Sequence, residues 1–242
     1  MVAKYLHLII NKEVDISKIL FLTFTNKATD EILNRVINAL DKLEYNYDQS
    51  DLKISTIHGL CKRIIDEYHD IFNSEVHATN ILTDISQASF ILTFIEDYGF
   101  YSKAGACREI TSSIIPFFNK VTDENLDVET LYTYLTRKMN EVIKSENIEN
   151  PASEMVKFKT LILYTSLLEI YKEKMIEKKY IDFSHLQQFV FKEIESNNRL
   201  RKILQDEIYY ILVDEYQDTS SIQSDLLIRL LKDKKTITVC GD

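Results

Sequence analysis

A chain of 242 residues, 45% of them hydrophobic, can pack one large domain or two small ones. Its net charge of -9 excludes a global attraction to nucleic acid or to anionic membranes, so any DNA contact has to be local. Four glycines and two prolines are few for this length and point to a helix-rich fold.

Val2 to Ile10 reads as the end of a helix, with Leu6, Ile9 and Ile10 apolar. The run Ile19-Leu20-Phe21-Leu22 is continuous and apolar, as in a strand buried on both faces. It leads through Thr23-Phe24-Thr25-Asn26-Lys27-Ala28 into a helix whose stripe is Ala28, Ile32, Val36, Leu40 and Leu43. Thr25 or Asn26 is its expected cap, with Asp30 and Glu31 in the first turn to suit the helix dipole. Lys53 to Thr56 is a short strand, and Ile57, Leu60, Cys61, Ile64, Ile65 and Tyr68 mark the helix after it. His58 lies off that stripe, at the helix N-terminus.

From 72 to 176 the pattern becomes helical throughout, with expected helices near 85–98, 106–120, 128–143 and 155–176 and no strand of quality. This is read as an all-helical insertion into a discontinuous domain of residues 1–71 and 177–242. After Lys179 to Leu186, helices run to about Gln205. Asp182 and Phe183 read as a cap and a core aromatic, and His185 has no second metal ligand at helical spacing. An apolar strand from Tyr209 to Val213 then ends in two adjacent carboxylates, Asp214 and Glu215, followed by a helix over Ile222 to Leu231 and a last strand, Thr236 to Cys240.

Chemistry in an open α/β sheet sits at the carboxyl ends of the strands. Two acids placed there can divide the work: one holds Mg²⁺ while the other orients or deprotonates water. No apolar run approaches the roughly 20 residues of a membrane span. The N-terminus has no signal-peptide pattern. The three cysteines, Cys61, Cys107 and Cys240, form neither a metal-ligand spacing nor a disulfide framework, and a cytoplasmic location is expected.

In order and spacing these segments resemble the UvrD/Rep-type superfamily 1 DNA helicases and their AddA and RecB relatives. Thr23 to Ala28 looks like motif Ia, Ser55 to Cys61 like motif Ib, and Ile181 to Leu186 like the family's Asp-Phe segment. Val213 to Thr219 looks like motif II, and Val239-Cys240-Gly241-Asp242 like the first half of motif III. The resemblance covers the whole chain. It implies an α/β fold, a RecA-like (P-loop NTPase) parallel sheet that is incomplete and carries a helical insertion. It also implies ATP-driven 3′→5′ translocation on single-stranded or partly duplex DNA, with ATP and Mg²⁺ as cofactors.

Carried over residue by residue, Asp214 is the Mg²⁺ ligand, Glu215 activates the attacking water, and Gln217 and Asp218 link the nucleotide site to motif III. Asp242 matches the motif III acid. Phe24, Thr25 and Asn26 match residues lining the single-stranded DNA channel, and Thr56 and His58 match contacts to the DNA backbone. Other readings stay open: Phe24 as a packed strand-end aromatic, Thr25 and Thr56 as helix caps, His58 as an ordinary surface histidine.

The chain also departs from the family. No G-x-x-x-x-G-K-[ST] loop occurs, so the backbone nest and lysine that cradle ATP phosphates are missing. The second RecA-like domain, which supplies transition-state arginines in the family, is missing too. The expectation is a motor domain cut at both ends and inactive alone. Alternatives are a non-catalytic single-stranded DNA-binding module, or one piece of a split or decayed helicase able to join its missing portions.

Overall fold

The computed structural model describes residues 1–72, 80–95, 107–144, 150–232 and 236–241. In chain order the elements are α1 (Val2–Lys12), β1 (Ile19–Thr23), α2 (Asn26–Lys42), β2 (Lys53–Thr56), α3 (Ile57–Tyr68), β3 (Ile81–Leu82) and α4 (Asp84–Leu92). Then follow α5 (Ile115–Asp123), α6 (Val128–Lys144), α7 (Pro151–Lys178), β4 (Ile181–Asp182) and α8 (Phe183–Ser196). The chain ends with α9 (Asn198–Glu207), β5 (Tyr210–Val213), α10 (Ser221–Leu230) and β6 (Ile237–Val239). The fold is the expected helix-rich α/β arrangement around a parallel sheet. It divides into two compact units, Met1–Val76 with Phe189–Asp242, and His77–Gln188.

The first unit holds a four-stranded parallel sheet in the order β2-β1-β5-β6. Every residue of β1 is buried, because β1 lies inside the sheet and is covered on both faces. Side chains alternate along a strand. Ile19 and Phe21 therefore share one face, where they join Tyr5, Leu8, Ile9, Ile32, Val36, Leu40, Ile54 and Leu212 in one core. Leu20 and Leu22 take the opposite face and are equally buried. The α2 stripe follows the expected period at Ile32, Val36 and Leu40, but Leu43 is 54% exposed because the helix ends at Lys42. The helix starts at Asn26, so its first turn contains no acid; Asp30 and Glu31 fall beyond the turn where the dipole acts most strongly.

In the second unit Phe90, Ile91, Phe94, Ile95, Ile110, Ile114, Phe118, Leu167, Leu168 and Tyr171 build a separate apolar core. This unit is not all-helical. Ile81 and Leu82 pair in parallel with Ile181 and Asp182, a two-residue ladder too short to show as a strand pattern. Residues 177–188 group with this unit. Asp182 accounts for part of that: its buried carboxylate accepts from Tyr171 Oη at 2.7 Å, Gln87 Nε2 at 3.2 Å and the His185 backbone N–H at 2.8 Å, with His185 Nδ1 at 2.8 Å. Burial opposes its charge, but the His185 ring and these hydrogen bonds outweigh that and hold the carboxyl below the usual range. Asp182 is thus the expected cap, whereas Phe183 is 39% exposed rather than a core aromatic. The Ile110–Ile114 turn is a π-helix that runs into α5, whose second residue, Pro116, has no N–H to donate to the ladder. The expected helices near 85–98 and 106–120 run partly, over 96–98 and 106, outside the described residues.

Candidate nucleotide and DNA edge

All four strands of the large sheet are parallel, so their carboxyl ends lie along one edge. Register places Thr23 beside Thr56, Leu22 beside Val213, and Val213 beside Val239. The residues following the strands therefore line that edge in the order of β2, β1, β5 and β6. This brings Thr56 and His58, then Phe24, Thr25 and Asn26, then Asp214 and Glu215, then Cys240 and Gly241 onto one side of one sheet.

The acidic turn is built by backbone bonds. Asp214 N–H donates to Leu22 O at 3.0 Å, continuing the β1–β5 ladder one step past Val213. Cys240 N–H donates to Val213 O at 2.9 Å, and Tyr216 N–H donates back to Cys240 O at 2.8 Å, which ties the turn to the end of β6. Between these anchors Glu215 takes a left-handed conformation, φ 54° and ψ 46°. Such a conformation costs a residue with a Cβ about 1–2 kcal/mol. A short 3-10 turn follows over Tyr216–Asp218, with Asp218 N–H on Glu215 O at 3.0 Å. Gln217 Nε2 donates to Glu215 Oε2 at 2.6 Å, and Tyr216 Oη donates to Ser224 Oγ on α10 at 3.2 Å.

Asp214 is half-buried at the strand end, and its carboxylate has no hydrogen-bond or ion-pair partner among the described residues. A carboxylate in that state fits a hard cation. Among the described residues there is no group of three or more His, Cys, Asp or Glu side chains able to hold a metal by themselves. Mg²⁺ is usually held by one or two carboxylates together with phosphate oxygens and water. Asp242 lies outside the described residues.

On the β1 side Thr25 caps α2, its Oγ1 accepting from Ala28 N at 3.1 Å. The buried Thr23 hydroxyl lies 2.6 Å from that of Thr29, and both donate to Thr25 O at 3.1 Å. These bonds fix the backbone on either side of Phe24. The Phe24 ring is 52% exposed, so it contributes little to the core. Asn26 is exposed beside it. On the β2 side Thr56 caps α3, its Oγ1 accepting from Gly59 N at 3.1 Å. His58 is half-buried in the first turn of α3, and burial pushes its pKa down. The two helix N-termini thus point their N–H groups out of the same edge that carries the acids, an arrangement suited to anions.

Sequence reasoning missed two features: the left-handed backbone at Glu215 and the packing of Gln217 on Gly241. Glutamate is not among the residues that favour a positive φ. The Gly241 contact joins positions far apart in the chain.

A family profile described as the UvrD/REP helicase N-terminal domain matches residues 1–242. Among curated relatives, a probable DNA helicase II homolog of Mycoplasma capricolum is 28% identical over 99% of this chain and 29% of its own length. The ATP-dependent DNA helicase Rep of Buchnera aphidicola is 29% identical over 100% of this chain and 31% of its own. The ATP-dependent DNA helicase PcrA of Bacillus subtilis is 25% identical over 98% of this chain and 28% of its own. The chain therefore spans less than a third of the length of these relatives. No helix among the described residues is long and apolar enough to cross a membrane. With the profile matched from end to end, the chain belongs to the UvrD/REP helicase N-terminal domain family.

Proposed function

We propose that this chain is motor machinery of an ATP-dependent DNA helicase, in which ATP hydrolysis drives 3′→5′ movement on single-stranded DNA and separation of the duplex. The observation that carries this reading is the shared edge: the acidic pair on β5 and the exposed Phe24 on β1 follow adjacent parallel strands. A nucleotide site and a strand-binding groove on neighbouring loops are what a DNA motor must couple.

In this reading Asp214 holds Mg²⁺, which when bound neutralises charge on the β- and γ-phosphates. Glu215 orients the attacking water, and Gln217 connects Glu215 to the end of β6. Phe24 stacks on a base, while Thr25, Asn26, Thr56 and His58 meet phosphates near the two helix N-termini.

The chain contains no G-x-x-x-x-G-K-[ST] loop, so its own residues include no cradle for the ATP phosphates. We assign it single-stranded DNA binding on its own and ATP hydrolysis only together with further helicase portions. Turnover measured on the 242-residue chain with ATP, Mg²⁺ and single-stranded DNA should stay at background. Robust turnover abolished by Glu215→Gln would overturn that assignment.

A further inference from the structure

Gly241 stands against the side chain that holds Glu215. A Cβ added at Gly241 would sit well inside van der Waals contact with Gln217 Oε1, 3.3 Å from the Gln217 backbone nitrogen and 3.4 Å from its Cδ. Gly241 does not occupy the left-handed region, so torsional freedom is not what this position requires. It requires space. Gly59 is a useful contrast: a Cβ there would meet Ser55 Cβ and Thr56 Oγ1 at 3.4 Å, a normal contact.

The Gln217 amide lies between Gly241 and Glu215. Oε1 faces the Gly241 backbone, and Nε2 donates to Glu215 Oε2 at 2.6 Å. The acceptor is a carboxylate, so this is a charge-assisted hydrogen bond. Gln217 and Glu215 are both exposed, so water competes for each partner. The bond persists only while something limits where the amide can go. The end of β6 does this. Cys240, next to Gly241, is fixed through both its N–H and its carbonyl, so the surface against which Gln217 lies is rigid.

We propose that Gly241 is a positioning residue: by having no side chain, it leaves the space in which Gln217 crosses the end of β6 and holds the Glu215 carboxylate. Its bearing on hydrolysis rests on Glu215 being the water-orienting acid. The bracing itself is a property of the free protein and is tested without nucleotide.

The test is a ¹H–¹⁵N spectrum of the 242-residue chain, reading glutamine side-chain amides. Gln217→Ala identifies the Gln217 pair by its loss. Glu215→Ala should move that pair to the position of a solvated amide, and Gly241→Ala should move it to the same place. The rest of the spectrum should hold, because the far end of a flexible side chain gives way easily. If Gly241→Ala instead lowers the melting temperature, adding Gln217→Ala should restore most of the loss by removing the clashing group. The proposal is overturned if the Gln217 pair in Gly241→Ala stays at its wild-type position. A stability loss that Gln217→Ala fails to relieve overturns it as well.

Discussion

The Tyr216 N–H donates to the Cys240 carbonyl across 2.8 Å, joining the acidic turn after β5 to the end of β6. Through this one bond, any shift at the end of β6 is felt one residue from Glu215. The neighbouring bond from Cys240 N–H to Val213 O closes the connection on the other side of the acids. Glu215 is caught between them with positive φ.

That geometry predicts a gain in stability from losing the acid. Glu215→Gly relieves the left-handed strain of about 1–2 kcal/mol. Greater chain entropy in the unfolded state returns about 0.4–1 kcal/mol of it. A net stabilisation of about 1 kcal/mol or less is expected in urea-induced unfolding. A destabilised variant would mean that the left-handed conformation is not a cost.

The two threonines at the strand ends have measurable structural roles whatever DNA does. Thr25→Ala and Thr56→Ala each remove a side-chain acceptor from a helix N-terminus and should each cost about 1 kcal/mol. Serine at either position should retain most of the stability. Chemical denaturation of the four single variants checks this, and an unaffected Thr→Ala protein would show that the caps carry no weight.

Asp182 predicts a pH dependence. Its carboxyl is held below the ordinary range in the folded state, so its ionised form favours folding. This contribution is fully present above the unfolded value of about 3.9 and is lost as the pH falls through the lower folded value. Asp182→Asn keeps the shape but weakens bonds from Tyr171, Gln87 and His185, and should cost about 1–3 kcal/mol at neutral pH. Urea midpoints followed downward from pH 7 should hold their separation above the unfolded value of about 3.9 and draw together as the pH falls below it. Parallel curves would show that Asp182 is not the group titrating.

The legible parts of this fold were those with a strong local period. The β1 run, the Ile32-Val36-Leu40 stripe and the Ile57 to Ile65 stripe each identify an element from its own residues. The Ile81–Leu82 pairing was not legible, since two residues carry no alternation and their partner lies at 181 and 182. Phe183 was misread because an aromatic beside a capping aspartate suggests burial, yet the side chain is partly exposed at the start of α8. For the candidate site, residue types and order were visible in sequence. What only coordinates supply is the conformation at Glu215, the exposure of Phe24, and the Gln217 contact with Gly241.

We propose that the carboxyl edge of this sheet binds single-stranded DNA through Phe24 and the N-termini of α2 and α3. The direct measurement is a titration of labelled single-stranded DNA with the 242-residue chain across a range of salt, repeated for Phe24→Ala. Log affinity should fall linearly with log salt as phosphate contacts release counterions. Phe24→Ala should weaken binding about tenfold, equivalent to about 1.4 kcal/mol and within the range for one stacked base. Affinity that ignores salt, or a Phe24→Ala protein that binds as tightly as the wild type, would overturn this assignment.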